Sequence, residues 1–313
     1  MTLEGGLEGT ASLEGAVALE REVVVVGAGP AGLSAALNLV RARRSTLVLD
    51  SNRPRNAATF ASHGYVSRDG ISPLELRRLG REELEAYPEA SFAKAVVSNV
   101  TRIDGGFAVA YGASVVTTST IVIGTGLTEK FPALPSLRQF YGTSAHSCVE
   151  CDAYEYADQP IALIGETDDL AARALLLSQW SRDLIVFTNG VGVVTPEDEA
   201  MLGERGIRVE RRELADVAGD RSGITGVALA DGETVPRAAV FVRPVYAPNL
   251  AYVSELDLEF DADGYLVVDH GGRTNVAGVY AAGDSTAPGP QQLIVAAGAG
   301  AKVAATLNRD MLI

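Results

Sequence analysis

The sequence predicts an α/β protein of two nucleotide-binding-type domains, each a parallel sheet between helical layers, with the second domain inserted in the first. Three observations predict it. An apolar strand runs into a glycine turn and a helix from Glu22, the same order of elements recurs after Gln159, and the closing segment from Asn249 is too short for a third such unit. Both units are therefore read as Rossmann-like, three-layer domains.

The elements follow in order. Strand "EVVVVG", a glycine turn, helix "LSAALNLVRAR" and strand "STLVLD" make an opening βαβ unit. Strands "AVVSNVTRI" and "FAVAYG" flank Asp104-Gly105-Gly106, a hairpin turn, and the apolar strand "TIVIG" leads to Gly124-Thr125-Gly126. In the second unit, strand "PIALIG" enters a helix reaching about Arg182, followed by strand "DLIVFTN". A helix "EDEAMLGER" has Thr195 placed to cap it, Pro196 in its first turn and Gly206 past its end. Strand "IRVERREL", a hairpin through "ADGE" and the apolar strand "AAVFVRP" complete this copy. The tail, with "GVYAAGD" and the small-residue helix "QQLIVAAGAGAKVAATLNRD", is returned to the first unit. The expected division is an extension at 1–21, a discontinuous domain at 22–126 and 245–313, and the inserted domain at 127–244.

Charge and cysteine usage narrow the function. A net charge of −14 with scattered Lys and Arg opposes binding to phosphate backbones, so nucleic acid is not an expected partner. No run of about 18 apolar residues suggests a membrane span, and the start "MTLEGGLEGTASLEGAVALE" lacks the basic flank of a secretory leader, so a cytoplasmic protein is expected. The only cysteines, Cys148 and Cys151, are spaced as CxxC, and one pair cannot staple a secreted chain of 313 residues.

The chemistry concentrates in a few stretches. "GAGPAG", Gly27 to Gly32, fits the dinucleotide fingerprint. Gly27 allows the tight turn, Gly29 admits a pyrophosphate to the backbone, Gly32 lets the helix approach the strand, and Pro30 and Ala31 open the helix. Asp50 ends the next strand, placed to bind a ribose hydroxyl. In the second turn, "GETDDL", Thr167 and Leu170 replace the later glycines. Glu166, Asp168 and Asp169 there oppose a pyrophosphate, and "VFTNG" offers no arginine for a 2'-phosphate. This turn is expected to be a structural remnant.

In "SAHSCVECDAY", two sulfurs three positions apart can close a small ring, and a helix starting there would favour a thiolate. Asp152 is placed to move the proton of thiol exchange. Half a zinc site or two buried cysteines are the competing readings, and with only His63, His146 and His270 in the chain no metal site is expected. His146, two residues before Cys148, assists the thiol chemistry or is a bystander. Gly283 and Asp284 follow a strand where a carboxylate can meet a ribityl chain, or form a plain turn. "NRPRNAATFASHGYVSRDG", residues 52–70, is a loop over a cofactor or a solvated one; Arg55, Asn56 and His63 are its candidates, with Gly126 facing the same site.

Together "GAGPAGLSAA", CxxCD and "AAGD" before "QQL" resemble the low-molecular-weight thioredoxin reductase family from about Glu22 to the C-terminus. The resemblance implies FAD on the first domain, bound by Gly27, Gly29, Gly32, Asp50 and Asp284 with Gln292 and Leu293 near the flavin. It also implies a redox disulfide between Cys148 and Cys151 with Asp152 as its acid, and a homodimer. "NRPRNA" with "SHG", and "YEYADQPIALIG", are similar to a branch with pyridine-nucleotide-independent reductase-like proteins and dithiol oxidases of the holomycin and gliotoxin type. The implied function is an FAD-dependent disulfide oxidoreductase that does not use NADPH. Its partner would be a thioredoxin-like protein or a small dithiol or disulfide, and its donor a small electron-transfer protein. A dithiol oxidase reducing oxygen and a non-catalytic flavin redox sensor are the alternatives.

Overall fold

The computed structural model describes residues 19–287 and 289–313. Its larger sheet has the order Ala90–Lys94, Thr46–Asp50, Leu19–Val26, Ser114–Ile123, Gly106–Tyr111, Val97–Ile103, and Val279–Ala281 also pairs with Ser114–Ile123. Strands Leu19–Val26, Thr46–Asp50 and Val279–Ala281 are parallel to their neighbours, while the Val97–Tyr111 hairpin is antiparallel. The central run Val23–Val26 is apolar throughout because both faces are covered. Val24 and Val26 join one buried cluster with Ile121 and Ile123; Val23 and Val25 join the other with Leu39, Val303 and Leu307.

The chain from Val279 onward thus returns to the first sheet, as the short tail required. Its helix Leu293–Asp310 packs on Pro30–Arg41 at very short range: a Cβ built at Gly300 would lie 2.0 Å from the Ala31 carbonyl oxygen. Only glycine permits that approach.

A second, all-parallel sheet has the order Arg208–Glu210, Leu184–Phe187, Ile161–Gly165, Ala239–Arg243, Ala145–His146. Leu127–Lys130 and Val245–Pro248 pair antiparallel where the chain enters and leaves this part. A three-stranded antiparallel sheet of Leu214–Asp220, Gly223–Leu229 and Thr234–Pro236 lies beyond.

Several boundaries differ from those expected. The first strand begins at Leu19, whose pairing with Val116 draws the last residues of the presumed extension into the sheet; residues 1–18 lie outside the described residues. The helix expected to reach Arg182 spans Leu170–Leu177 and ends in turns closed by Trp180 and Ser181 amides on the Leu177 carbonyl. "IRVERREL" divides between two sheets, since Arg211 pairs with Glu199 and Arg212 with Glu210 instead of continuing one apolar face. A helix at Pro73–Glu85 was not read at all. Its start does carry a sequence signal, Ser72 before Pro73 with Glu75 in the first turn. The helix at Pro196–Gly203 begins as expected, the Asp198 amide donating to the Thr195 hydroxyl at 3.1 Å.

Candidate functional site

A cavity of about 1210 Å³ lies where the C-terminal ends of Leu19–Val26, Thr46–Asp50 and Ser114–Ile123 converge with the segment bearing the cysteines. This is the position at which parallel α/β sheets bind ligands. Gly27, Gly29, Pro30 and Ala31 line it on one side, and Cys148, Cys151 and Asp152 on another. Arg55, Asn56, His63, Gly126, Gly283, Asp284, Gln292 and Leu293 also reach it, so residues as far apart in sequence as 27 and 293 share one space.

The first turn is built for close approach. Gly27 has φ +100, and a Cβ at Gly32 would lie 1.9 Å from the Gly27 carbonyl oxygen. Gly32 is therefore a packing residue behind the cavity wall. Gly29 has nothing within 4 Å of an ideal Cβ, so it faces open space. As N-cap of Pro30–Arg41 it carries no side-chain cap, and the first amides of that helix have no intrahelical partner. Open volume, uncapped amides and a helix N-terminus are the donor set that a dinucleotide pyrophosphate requires, and FAD fits them.

Asp50 sits differently from the simple expectation of a ribose ligand. It is 8% exposed; Oδ1 accepts from the Ala28 amide at 2.9 Å, and Oδ2 from Arg77 at 2.6 Å and Arg81 at 2.8 Å. Arg77 also donates to the Ala28 carbonyl at 3.1 Å, and burial lowers its pKa against the pull of Asp50. Asp50, Arg77 and Arg81 thus brace the glycine turn. Sequence reasoning missed both arginines because it missed their helix.

Across the cavity, Arg55 donates to Asp284 at 2.7 Å and to Glu129 at 3.4 Å. Burial raises the Asp284 carboxyl above its ordinary value, with Arg55 opposing the shift. Glu129 accepts from Tyr141 at 3.1 Å and from Ser147, next to Cys148, at 3.4 Å. This polar line joins the loop at 52–70, the turn at Gly283 and the cysteine segment. Arg55 and Arg243 both stack on Tyr246, at 5.3 and 5.1 Å from its ring centroid. His63 lies 3.6 Å from Asp69 and 3.5 Å from Glu155, tying the same loop to the turn after the cysteines.

Cys148 and Cys151 are disulfide-bonded with Cα atoms 5.3 Å apart, both half-buried in the cavity wall. Cys148 caps a helix, Val149–Asp152, of four residues, so the helix dipole expected to favour a thiolate is small. His146 is buried with Nδ1 3.4 Å from Asp152. Among the described residues no cluster suited to a metal ion is found.

The second turn is occupied by its own side chains. Leu170 is fully buried, with methyl carbons 2.6 and 2.7 Å from where a Cβ would stand on Gly165 and Gly192. The carboxylates do not simply add like charge, as the sequence had suggested. Asp169 accepts from Thr167 at 2.7 Å, Arg243 at 2.8 Å and Arg173 at 3.0 Å. Burial works against its charge, and the Thr167 hydroxyl with Arg243 and Arg173 outweighs burial, so its pKa is lowered. Glu166 accepts from Asn189 at 2.6 Å, the asparagine of "FTNG".

Comparison with known proteins supports this geometry. The pyridine nucleotide-disulphide oxidoreductase family matches residues 21–300. The thioredoxin reductase of Treponema pallidum is 28% identical over 296 residues, 90% of this chain and 94% of that protein. The structure of the TrxB protein of Bacillus anthracis superposes with a TM-score of 0.88 at 33% identity, covering 93% of this chain and 98% of that one. The structure of HlmI has a TM-score of 0.88 at 34% identity, covering 94% and 93%.

Proposed function

This chain belongs to the pyridine nucleotide-disulphide oxidoreductase family, as a thioredoxin-reductase-like FAD enzyme acting on sulfur groups, and from that premise we propose that it exchanges electrons between FAD and a partner dithiol or disulfide without using NADPH. The observation that carries the proposal is that the Cys148–Cys151 disulfide and the open glycine turn share one cavity, while the second turn, which reaches that cavity through Thr167, Asp168 and Asp169, has Leu170 packed against Gly165 and Asp169 already bonded to Arg243.

The roles follow from position. Gly27, Gly29, Pro30 and Ala31 hold the pyrophosphate, Gly32 and Asp50 keep that turn in shape, and Asp284 with Arg55 meets the ribityl side. Asn56, His63, Gly126, Gly283, Gln292 and Leu293 enclose the rest. FAD, when bound, supplies the two-electron chemistry. In the reducing half, a partner thiolate attacks one sulfur, the Cys148–Cys151 bond breaks, and a mixed disulfide forms. Asp152 holds the proton taken by the leaving sulfur. The partner's second thiolate then attacks the partner sulfur of the mixed disulfide, which releases the partner as a disulfide and leaves one cysteine thiol and one cysteine thiolate.

The division into a discontinuous domain at 22–126 and 245–313 and an inserted one at 127–244 belongs to the same proposal, with the inserted part as carrier of the disulfide. The partner is a thioredoxin-like protein or a small thiol compound, the chain works in the cytoplasm as a homodimer, and a small electron-transfer protein serves as donor when the direction is reductive.

One observation favours the oxidative direction. The disulfide is half-buried in a cavity wall, which a small dithiol reaches more readily than a folded protein does. A dithiol oxidase releases peroxide under oxygen, and that release must vanish in Cys148→Ser.

The test is an anaerobic titration of the yellow protein with NADPH, NADH and dithiothreitol, following flavin absorbance. Bleaching by the dithiol alone, lost in Cys151→Ser, is the expected result. Fast bleaching by NADPH overturns the independence from nicotinamide.

A further inference from the structure

We infer that His146 is a positioning residue that holds the Asp152 carboxyl toward the disulfide. The inference rests on the thiol-exchange function proposed above.

His146 ends the strand Ala145–His146, and its buried ring packs with Tyr156, at 5.3 Å, and Phe241, at 5.7 Å. Its Nε2 is 3.0 Å from the Thr143 carbonyl oxygen, which can only accept, so Nε2 carries a hydrogen. The Tyr156 hydroxyl also donates to that carbonyl, and at 3.3 Å its oxygen can share the Nε2 hydrogen. Nδ1, on the other edge, faces Asp152 Oδ1 at 3.4 Å. With Nε2 committed to Thr143, Nδ1 is the one ring atom left to orient the carboxyl.

The surrounding charges are few. Tyr156 and Glu155 stand on the turn after Asp152; burial, then Asp152 and Glu155, raise the Tyr156 pKa and keep it a neutral donor. Glu155 is turned toward His63. From the strand Ala239–Arg243 the pair meets the uncharged ring of Phe241.

His146, Asp152 and both cysteines line the same cavity. When an incoming thiolate breaks the Cys148–Cys151 bond, the leaving sulfur takes the proton held on Asp152. The pair regains one from the solvent, into which the partner's thiol lost its own. No electrons pass through the pair.

The test measures reduction of the disulfide in the purified holoprotein by dithiothreitol, quenched in acid, alkylated and weighed, across pH. His146→Gln retains a donor toward Thr143, His146→Asn a polar atom toward Asp152, and neither titrates. Both variants are expected to be roughly tenfold slower than wild type near about pH 6 and to converge with it near about pH 9, where a leaving cysteine of ordinary acidity departs as thiolate and needs no proton. Asp152→Asn should show the same profile, and His146→Gln combined with it should be no slower than Asp152→Asn alone. A slowing by one ratio at every pH, or additive losses in the double variant, overturns the inference and leaves His146 as packing. Because the readout is alkylation, it stands apart from the functional proposal, which fails instead if NADPH bleaches the flavin or if cysteine-to-serine variants retain bleaching by dithiol.

Discussion

The turns at 27–32 and 165–170 occupy the same place in the same strand–turn–helix arrangement, and they differ in what fills them. In the first, the space in front of Gly29 is open and the charges lie behind it, Asp50 held by Arg77 and Arg81 against the backbone of Ala28. In the second, Leu170 enters the turn and Asp169 gathers Thr167, Arg173 and Arg243 around itself. An internal carboxylate there meets three donors, so two turns of the same course present different surfaces, open amides in the first and a bonded carboxylate in the second.

The harshest way to break this comparison is Gly32→Val. Its Cβ has no room beside the Gly27 carbonyl, and a loss of at least about 3 kcal/mol is expected, read as colourless, unstable protein in thermal unfolding. Gly29→Val separates folding from binding. Gly29 has φ −74 and ψ −179, which any residue adopts, and its Cβ meets no atom. The melting temperature of the apoprotein should stay near wild type while flavin binds roughly 100-fold more weakly, about 2.7 kcal/mol. Unchanged flavin affinity would show that the first turn does not hold the pyrophosphate.

Smaller effects sharpen the account of the second turn. Arg243→Ala removes one of the two cations on Asp169 and a ring contact to Tyr246, for an expected cost of about 1 kcal/mol in urea unfolding. No change at all would mean that Arg173 alone balances the carboxylate. The smallest effect is in pH. The folded pKa of Asp169 is lowered, so its contribution is fully present above the unfolded value of about 3.9 and is lost as pH falls through the folded value. With a side chain 35% exposed, solvent screening limits this to less than about 1 kcal/mol. Asp169→Asn should lose less stability than wild type between about pH 5 and about pH 2; parallel curves would place the acid sensitivity elsewhere.

Much of the molecule was legible in its sequence because it depends on neighbours along the chain. Val23–Val26 had to be a strand, Gly27 and Gly32 had to serve a tight turn, Thr195 and Pro196 had to open a helix, and Leu170 set the second turn apart from the glycine pattern of the first. These are constraints of backbone geometry and side-chain size, local by nature.

Tertiary structure alone decided who answers each charge. That Asp50 faces Arg77 and Arg81, that Asp169 is held by Arg243 from a strand 74 residues away, that Arg55 reaches Asp284 across 229 residues, and that His146 turns toward Asp152 are all settled by contacts between distant or differently oriented segments. Coulomb energy and hydrogen bonding depend on distance in space and on burial, neither of which sequence spacing records once the chain has folded back on itself.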